Sequence, residues 1–159
     1  MKLAHLVRVT VFVKPEEDDV AVWQALLGLF PFDLAAQKIA VSQKTVIGFE
    51  EKKIRILTVE LSRQKNINDF LAALMERLGE DGRRLLLSQA ESRLDEGNHF
   101  FLRLLKPALL RGEYQLTDAG DCYHIKISVA AYPGTREQAL ESVKGIVGLG
   151  SGVAAASSV

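Results

Sequence analysis

Cysteine is almost missing from this chain: Cys122 is the single one in 159 residues. No disulfide can form within the chain, and the usage suits a reducing compartment. One thiol and three histidines, at positions 5, 99 and 124, fall short of the four suitably spaced ligands of a structural zinc site, so no metal or other cofactor is expected. Long apolar runs are also lacking. Nothing approaches the roughly 20 residues needed to cross a bilayer, and Arg8 interrupts the opening Met-Lys-Leu-Ala-His-Leu-Val before a signal-peptide core could form. A cytoplasmic protein without a membrane partner is predicted. Net charge is absent as well, because 20 basic residues balance 20 acidic ones. Binding to phosphates would therefore require a local patch. No P-loop or dinucleotide fingerprint surrounds Gly79, Gly82, Gly97 or Gly134, and neither the glycine-aromatic signature of the common RNA-recognition sheet nor a KH-type clamp is present.

What is there suits a soluble globular domain: 48% hydrophobic and 25% charged residues. His5 to Val13 alternates Val7, Val9, Val11 and Val13 against Leu6, Arg8, Thr10 and Phe12, the pattern of a strand. A helix is expected from Pro15 to about Leu29, with the acids Glu16 to Asp19 in its first turn and Val20, Trp23, Leu26, Leu27 and Phe30 on one side. Residues 38–47 and 53–62 read as strands joined around Gly48, as a hairpin or as an irregular loop plus a strand. Asn66 or Asn68 is positioned to cap a helix whose apolar stripe runs from Ile67 to Leu78, where Gly79 interrupts it before a second helical piece from Asp81.

Asp95-Glu96-Gly97-Asn98 is a turn before a strand at 99–105, and further short pieces include a strand near Glu113 to Leu116. Tyr123, Ile125, Ile127 and Val129 alternate with His124, Lys126 and Ser128, predicting a strand with one buried and one polar face. Thr135 is placed to cap a final helix carrying Ala139, Leu140, Val143, Ile146 and Val147. Residues 148–159 are small, uncharged and aperiodic, so a flexible Gly/Ala/Ser tail is expected after a single domain at 1–147. This order predicts an α+β fold in which helices pack on one face of a mostly antiparallel sheet.

Several of these segments, in this order, carry a family resemblance. They are the strand before Pro15-Glu16-Glu17-Asp18, the strand ending Thr58-Val59-Glu60-Leu61, the Arg93-Leu-Asp-Glu-Gly-Asn98 turn, the Leu102-Arg103-Leu104 strand, and Ala131-Tyr132-Pro133-Gly134. Over residues 4–147 the chain resembles an archaeal RNA-binding family, formerly a domain of unknown function, whose members are predicted exosome-associated subunits. The resemblance implies a ribosomal-protein-like two-layer sandwich and a non-catalytic role, with RNA and exosome-type proteins as partners. It nominates Arg93, Arg103 and Lys106 as phosphate contacts. The family usually follows its Leu-Arg-Leu strand with Asp-Lys-Gln, whereas this chain has Leu105-Lys106-Pro107 and so keeps only the lysine.

The residues support part of that assignment independently. Arg103 lies on the strand face opposite Phe100, Leu102 and Leu104, while Lys106 and Arg111 follow within a short turn. Such a cluster can hold phosphates through charge-assisted hydrogen bonds without reading sequence. Arg8, His124 and Lys126 share an alternating polar face, and Phe12, Phe101 and Tyr132 are candidates to stack on unpaired bases. The nucleic-acid-binding set is thus Arg93, Arg103, Lys106, Arg111 and Lys126. No catalytic constellation is recognised: Cys122 with His99 or His124 sits in no nucleophile motif, and the acids at 16–19 are accounted for by a helix start. The competing reading is a self-associating interaction module, a homodimer pairing through its open sheet face or an edge strand.

Overall fold

The computed structural model describes the backbone of residues 2–157 and the side chains of residues 2–150. Five strands, β1 (Ala4–Val13), β2 (Ser42–Ile47), β3 (Lys53–Leu61), β4 (His99–Leu105) and β5 (Cys122–Val129), form one sheet in the order β2-β3-β1-β5-β4. Every neighbouring pair is antiparallel. Helices α1 (Asp19–Gly28), α2 (Gln64–Ser88), α3 (Ala90–Arg93), α4 (Lys106–Leu110) and α5 (Arg136–Ser157) complete the chain. This is the expected α+β arrangement, with helices packed on one side of the sheet.

Strand alternation decides which side they cover. Val7, Val9 and Val11 of β1 stand beside Leu57 and Val59 of β3, Phe100 and Leu102 of β4, and Ile125 and Ile127 of β5, all at most 1% exposed. Onto that surface the helices bring Val22 and Leu26 of α1, Phe70, Leu71 and Leu74 of α2, and Val143 and Ile146 of α5. Each large aliphatic or aromatic side chain so buried contributes about 1.5–3 kcal/mol. Tyr123 joins this core with its hydroxyl satisfied, donating to the Val22 carbonyl at 2.8 Å. Helices α2 and α5 meet closely: a Cβ at Gly150 would lie 2.9 Å from the Met75 carbonyl carbon, so glycine is what lets α5 approach.

Several boundaries depart from the sequence expectation, for local reasons. Helix α1 starts at Asp19, because Asp18 caps it by accepting from the Ala21 amide at 3.1 Å, while Glu17 turns back to accept from the Lys14 amide at 3.0 Å. Residues 38–41 are not strand, and Lys38 takes a left-handed backbone at φ 59°. The 42–47 and 53–61 strands do form a hairpin, with a 3-10 turn at Phe49–Glu51 between them. Helix α2 begins before both asparagines, and Asn66 is buried in its first turn rather than capping it. At Gly79 (φ 73°) its helical dihedrals break, as expected, and a second helical piece runs on from there to Ser88.

The expected strand at 113–116 shrinks to a single bridge between Leu116 and Leu104. Thr135 caps α5 as expected, its hydroxyl accepting from the Gln138 amide at 3.2 Å. That helix continues to Ser157, past the end of its apolar stripe, through Gly148, Gly150 and Gly152, which disfavour helix, and the alanines at 154–156, which favour it. Residues 158–159 of the expected tail lie outside the described residues. No helix among the described residues is long and apolar enough to cross a membrane.

Candidate nucleic-acid interface

The sheet face away from the helices carries the other half of each strand's alternation. Cross-strand register sets its rows: Glu60, Arg8, Lys126 and Phe101 form one line across β3, β1, β5 and β4, and Thr58, Thr10, His124 and Arg103 form the next. The Phe101 and His124 rings stand 5.4 Å apart between centroids, and His99 lies 6.4 Å from Phe101. Arg8 pairs with Glu60. Lys126 and the Arg103 guanidinium have no acidic partner among the described residues, although they are close enough to His124 to act on it. Partial burial, then Arg103 and Lys126, hold the His124 imidazole below the usual histidine range. The result is an aromatic strip between two unneutralised cations.

The predicted contacts divide in the structure. Arg103 and Lys126 come together on this face. Lys106 does not join them: it is 1% exposed, and its ammonium donates to the Phe12 carbonyl at 2.6 Å and to both Glu17 carboxylate oxygens at 3.0 and 3.1 Å, and pairs with Asp121 at 2.8 Å. Its charge is spent inside the protein, so the sequence assignment of Lys106 to phosphate is corrected to an internal strut.

Arg93 is also largely interior at 8% exposed. Its Nε and Nη2 donate to Gln89 Oε1 at 2.8 and 2.6 Å, Nη2 donates to Asp118 at 3.2 Å, and Nη1 donates to the Phe101 carbonyl at 3.4 Å. It ties α3 to the edge of β4, and burial lowers its pKa in spite of Asp118. Arg111 pairs with Glu113 at 3.4 Å at the end of α4, which packs on α1, and no described contact joins it to Arg103 or Lys126.

Of the stacking candidates, Phe101 lies within the basic face. Phe12, 51% exposed, is further along the same side of β1, and Tyr132, 95% exposed, lies beyond the end of β5. Lys44 carries no signal in the sequence. It stands on the open side opposite Ile56, but β2 is almost entirely exposed, so its side chains show no two-residue rhythm that would mark a face.

The two sheet edges differ. β4 is covered: Leu105 donates to the Gln115 carbonyl at 2.8 Å, Thr117 donates to that of Arg103 at 3.0 Å, and Asp95 donates to that of His99 at 2.9 Å. The outer side of β2 has no strand neighbour among the described residues, and Ile47 and Phe49 at its hairpin end are 73% and 87% exposed.

Comparison with known proteins places this fold. The model of a family described as RNA binding matches residues 6–130. The chain belongs to that RNA-binding family. It is 28% identical over 141 residues to an RNA-binding protein of Pyrococcus abyssi, covering 89% of this chain and 92% of that one. A crystal structure from Archaeoglobus fulgidus is 32% identical with a TM-score of 0.80, covering 91% of this chain and 99% of that one. A structure from Methanothermobacter thermautotrophicus is 28% identical with a TM-score of 0.74, covering 92% and 99%. Both structures come from the family formerly known only as a domain of unknown function.

Proposed function

We propose that this protein binds RNA without catalysing a reaction on it, laying a single strand across the open face of β1, β5 and β4. The carrying observation is the pair of unneutralised cations, Arg103 and Lys126, flanking the Phe101–His124 ring pair on an uncovered sheet. The cations hold the backbone, and the rings supply faces on which unpaired bases stack, an arrangement that suits single strands better than a duplex. Family membership supports the same partner. Following the family resemblance, the protein acts as an accessory of an exosome-type RNA-processing complex, which co-purification with such a complex would test.

Fluorescence anisotropy with short single-stranded and hairpin RNAs tests the face itself. Replacing Arg103 and Lys126 by alanine lowers affinity for all sequences alike. It also reduces the slope of log K against log salt by about 1.4, at roughly 0.7 per lost contact to a single strand. Absence of binding at low salt, or a double variant indistinguishable from wild type, overturns the reading.

A second reading, self-association, is favoured by the unpaired outer side of β2 and the exposed Ile47 and Phe49 beside it. Two copies joined there would continue the sheet. A monomer mass independent of concentration in sedimentation would eliminate it.

A further inference from the structure

Beside the open face, where β4 meets the α2–α3 junction and residues 117–118, lies a cavity of about 390 Å³ lined by Gln89, Ser92, Arg93, Phe101, Arg103 and Asp118. Its polar groups are ordered in a particular way. Gln89 Oε1 accepts twice from Arg93, which fixes the orientation of the amide and leaves its Nε2 hydrogens without a described partner. Asp118 gives Oδ1 to Arg93 and leaves Oδ2 unengaged among the described residues, with a side chain 83% exposed. Arg103 has all its guanidinium donors unclaimed among the described residues. Phe101, whose ring stands in the aromatic strip on the sheet, also lines the cavity.

An anion suits this cavity poorly, because the Asp118 carboxylate would face it. A neutral base that donates to the carboxylate and accepts from Gln89 suits it well. Among the RNA bases, guanine alone presents two adjacent donors, N1–H and the 2-amino group, beside an acceptor, O6, on its Watson–Crick edge. A carboxylate accepts both donors at once. Adenine and cytosine set a ring nitrogen acceptor next to their amino group, and uracil flanks its one N–H with carbonyls, so each would turn a lone pair toward Asp118. The volume lies at the small end of ligand pockets, about 300–1,000 Å³, as a single base requires.

We propose that this cavity is a guanine pocket that takes one base of the strand lying on the sheet. The assignment rests on the RNA-binding reading above and adds base selectivity to it. Asp118 reads the N1 and 2-amino hydrogens and the Gln89 amide donates to O6 beside Phe101, while Arg103 stays on the backbone.

The test measures anisotropy of the full chain with short uridine-rich oligoribonucleotides differing at one central position: G, A, C, U, inosine or 1-methylguanosine. The G oligomer binds about tenfold tighter than A, C or U, within the range for one bidentate base contact. Inosine, lacking the 2-amino group, loses part of that preference, and 1-methylguanosine loses it entirely. Asp118→Asn, checked for folding by circular dichroism, brings the four standard bases to similar affinity. Equal wild-type affinity for all the oligomers overturns the pocket and leaves the RNA-binding face standing. So does a guanine preference that survives both 1-methylation and Asp118→Asn. Failure to bind any oligomer at low salt overturns both.

Discussion

Replacing Lys106 by methionine separates a structural lysine from a phosphate contact. The ammonium is 1% exposed and ties three segments together: the end of β1 through the Phe12 carbonyl, the turn before α1 through Glu17, and the turn before β5 through Asp121. Methionine has nearly the same length and leaves no cavity. It strands the Glu17 carboxylate, whose side chain is only 17% exposed, and leaves the Phe12 carbonyl without this donor. Breaking a buried charge pair costs about 3–5 kcal/mol. Asp121, 32% exposed, can rehydrate and also lies 3.7 Å from Lys14, so the lower figure, about 3 kcal/mol, applies. For a chain of this size that loss lowers Tm by about 6–12 °C. Adding Glu17→Gln removes the stranded charge and recovers part of the loss. Thermal and urea unfolding followed by circular dichroism measure both effects. Anisotropy on the folded variant shows an unchanged salt slope. A Tm within about 2 °C of wild type, or a slope lowered by about 0.7 with stability intact, would refute the burial argument and return Lys106 to the RNA surface.

His124 makes RNA affinity and stability respond to pH with opposite signs. Its folded-state pKa lies below the ordinary 6.5, from burial and then Arg103 and Lys126. The unfolded chain therefore binds the proton more readily, and the His124 contribution to stability, complete above about pH 6.5, declines as pH falls through the folded value. Bound phosphates favour the same proton, so RNA affinity rises from pH 7.5 to 5.5. His124→Gln flattens both responses, and an affinity that ignores pH in wild type would place RNA away from this ring. Cys122 reacts slowly: burial pushes its thiol up, with Arg103 opposing, and little thiolate is present at neutral pH. Iodoacetamide labels it more slowly in the native protein than in urea, and equal rates would contradict the burial.

The fold was legible because its signals are local. The β-branched alternation of residues 5–13 and the polar–apolar rhythm of 123–129 mark both the strands and their buried sides before any partner is known. The apolar stripe from Ile67 to Leu78 marks α2 in the same way. The 113–116 segment reads as a strand in sequence because short extended residues look alike whether they pair along a strand or touch β4 at one bridge. Pro15 and the acids at 16–19 fit a first helical turn in sequence, whereas α1 starts only at Asp19 because Glu17 is drawn off by Lys106 and the Lys14 amide.

The candidate site was legible only by halves. Arg103 and Lys126 could be assigned to the polar side of their strands, because a period of two residues fixes the side on which a chain shows each residue. That they flank the same ring pair, and that Arg8 stands beside Lys126, follows from cross-strand register, which no single strand contains. Arg93 and Lys106 resemble exposed cations in sequence, since a basic residue after a helix or strand is usually solvated. Their burial depends on Asp118, 25 residues from Arg93, and Glu17, 89 residues from Lys106. The amino-acid order thus determined the elements and the polarity of each strand face. Only the tertiary structure decided which charges are neutralised inside and which are left to meet a ligand, because neutralisation is a contact between segments far apart in the chain.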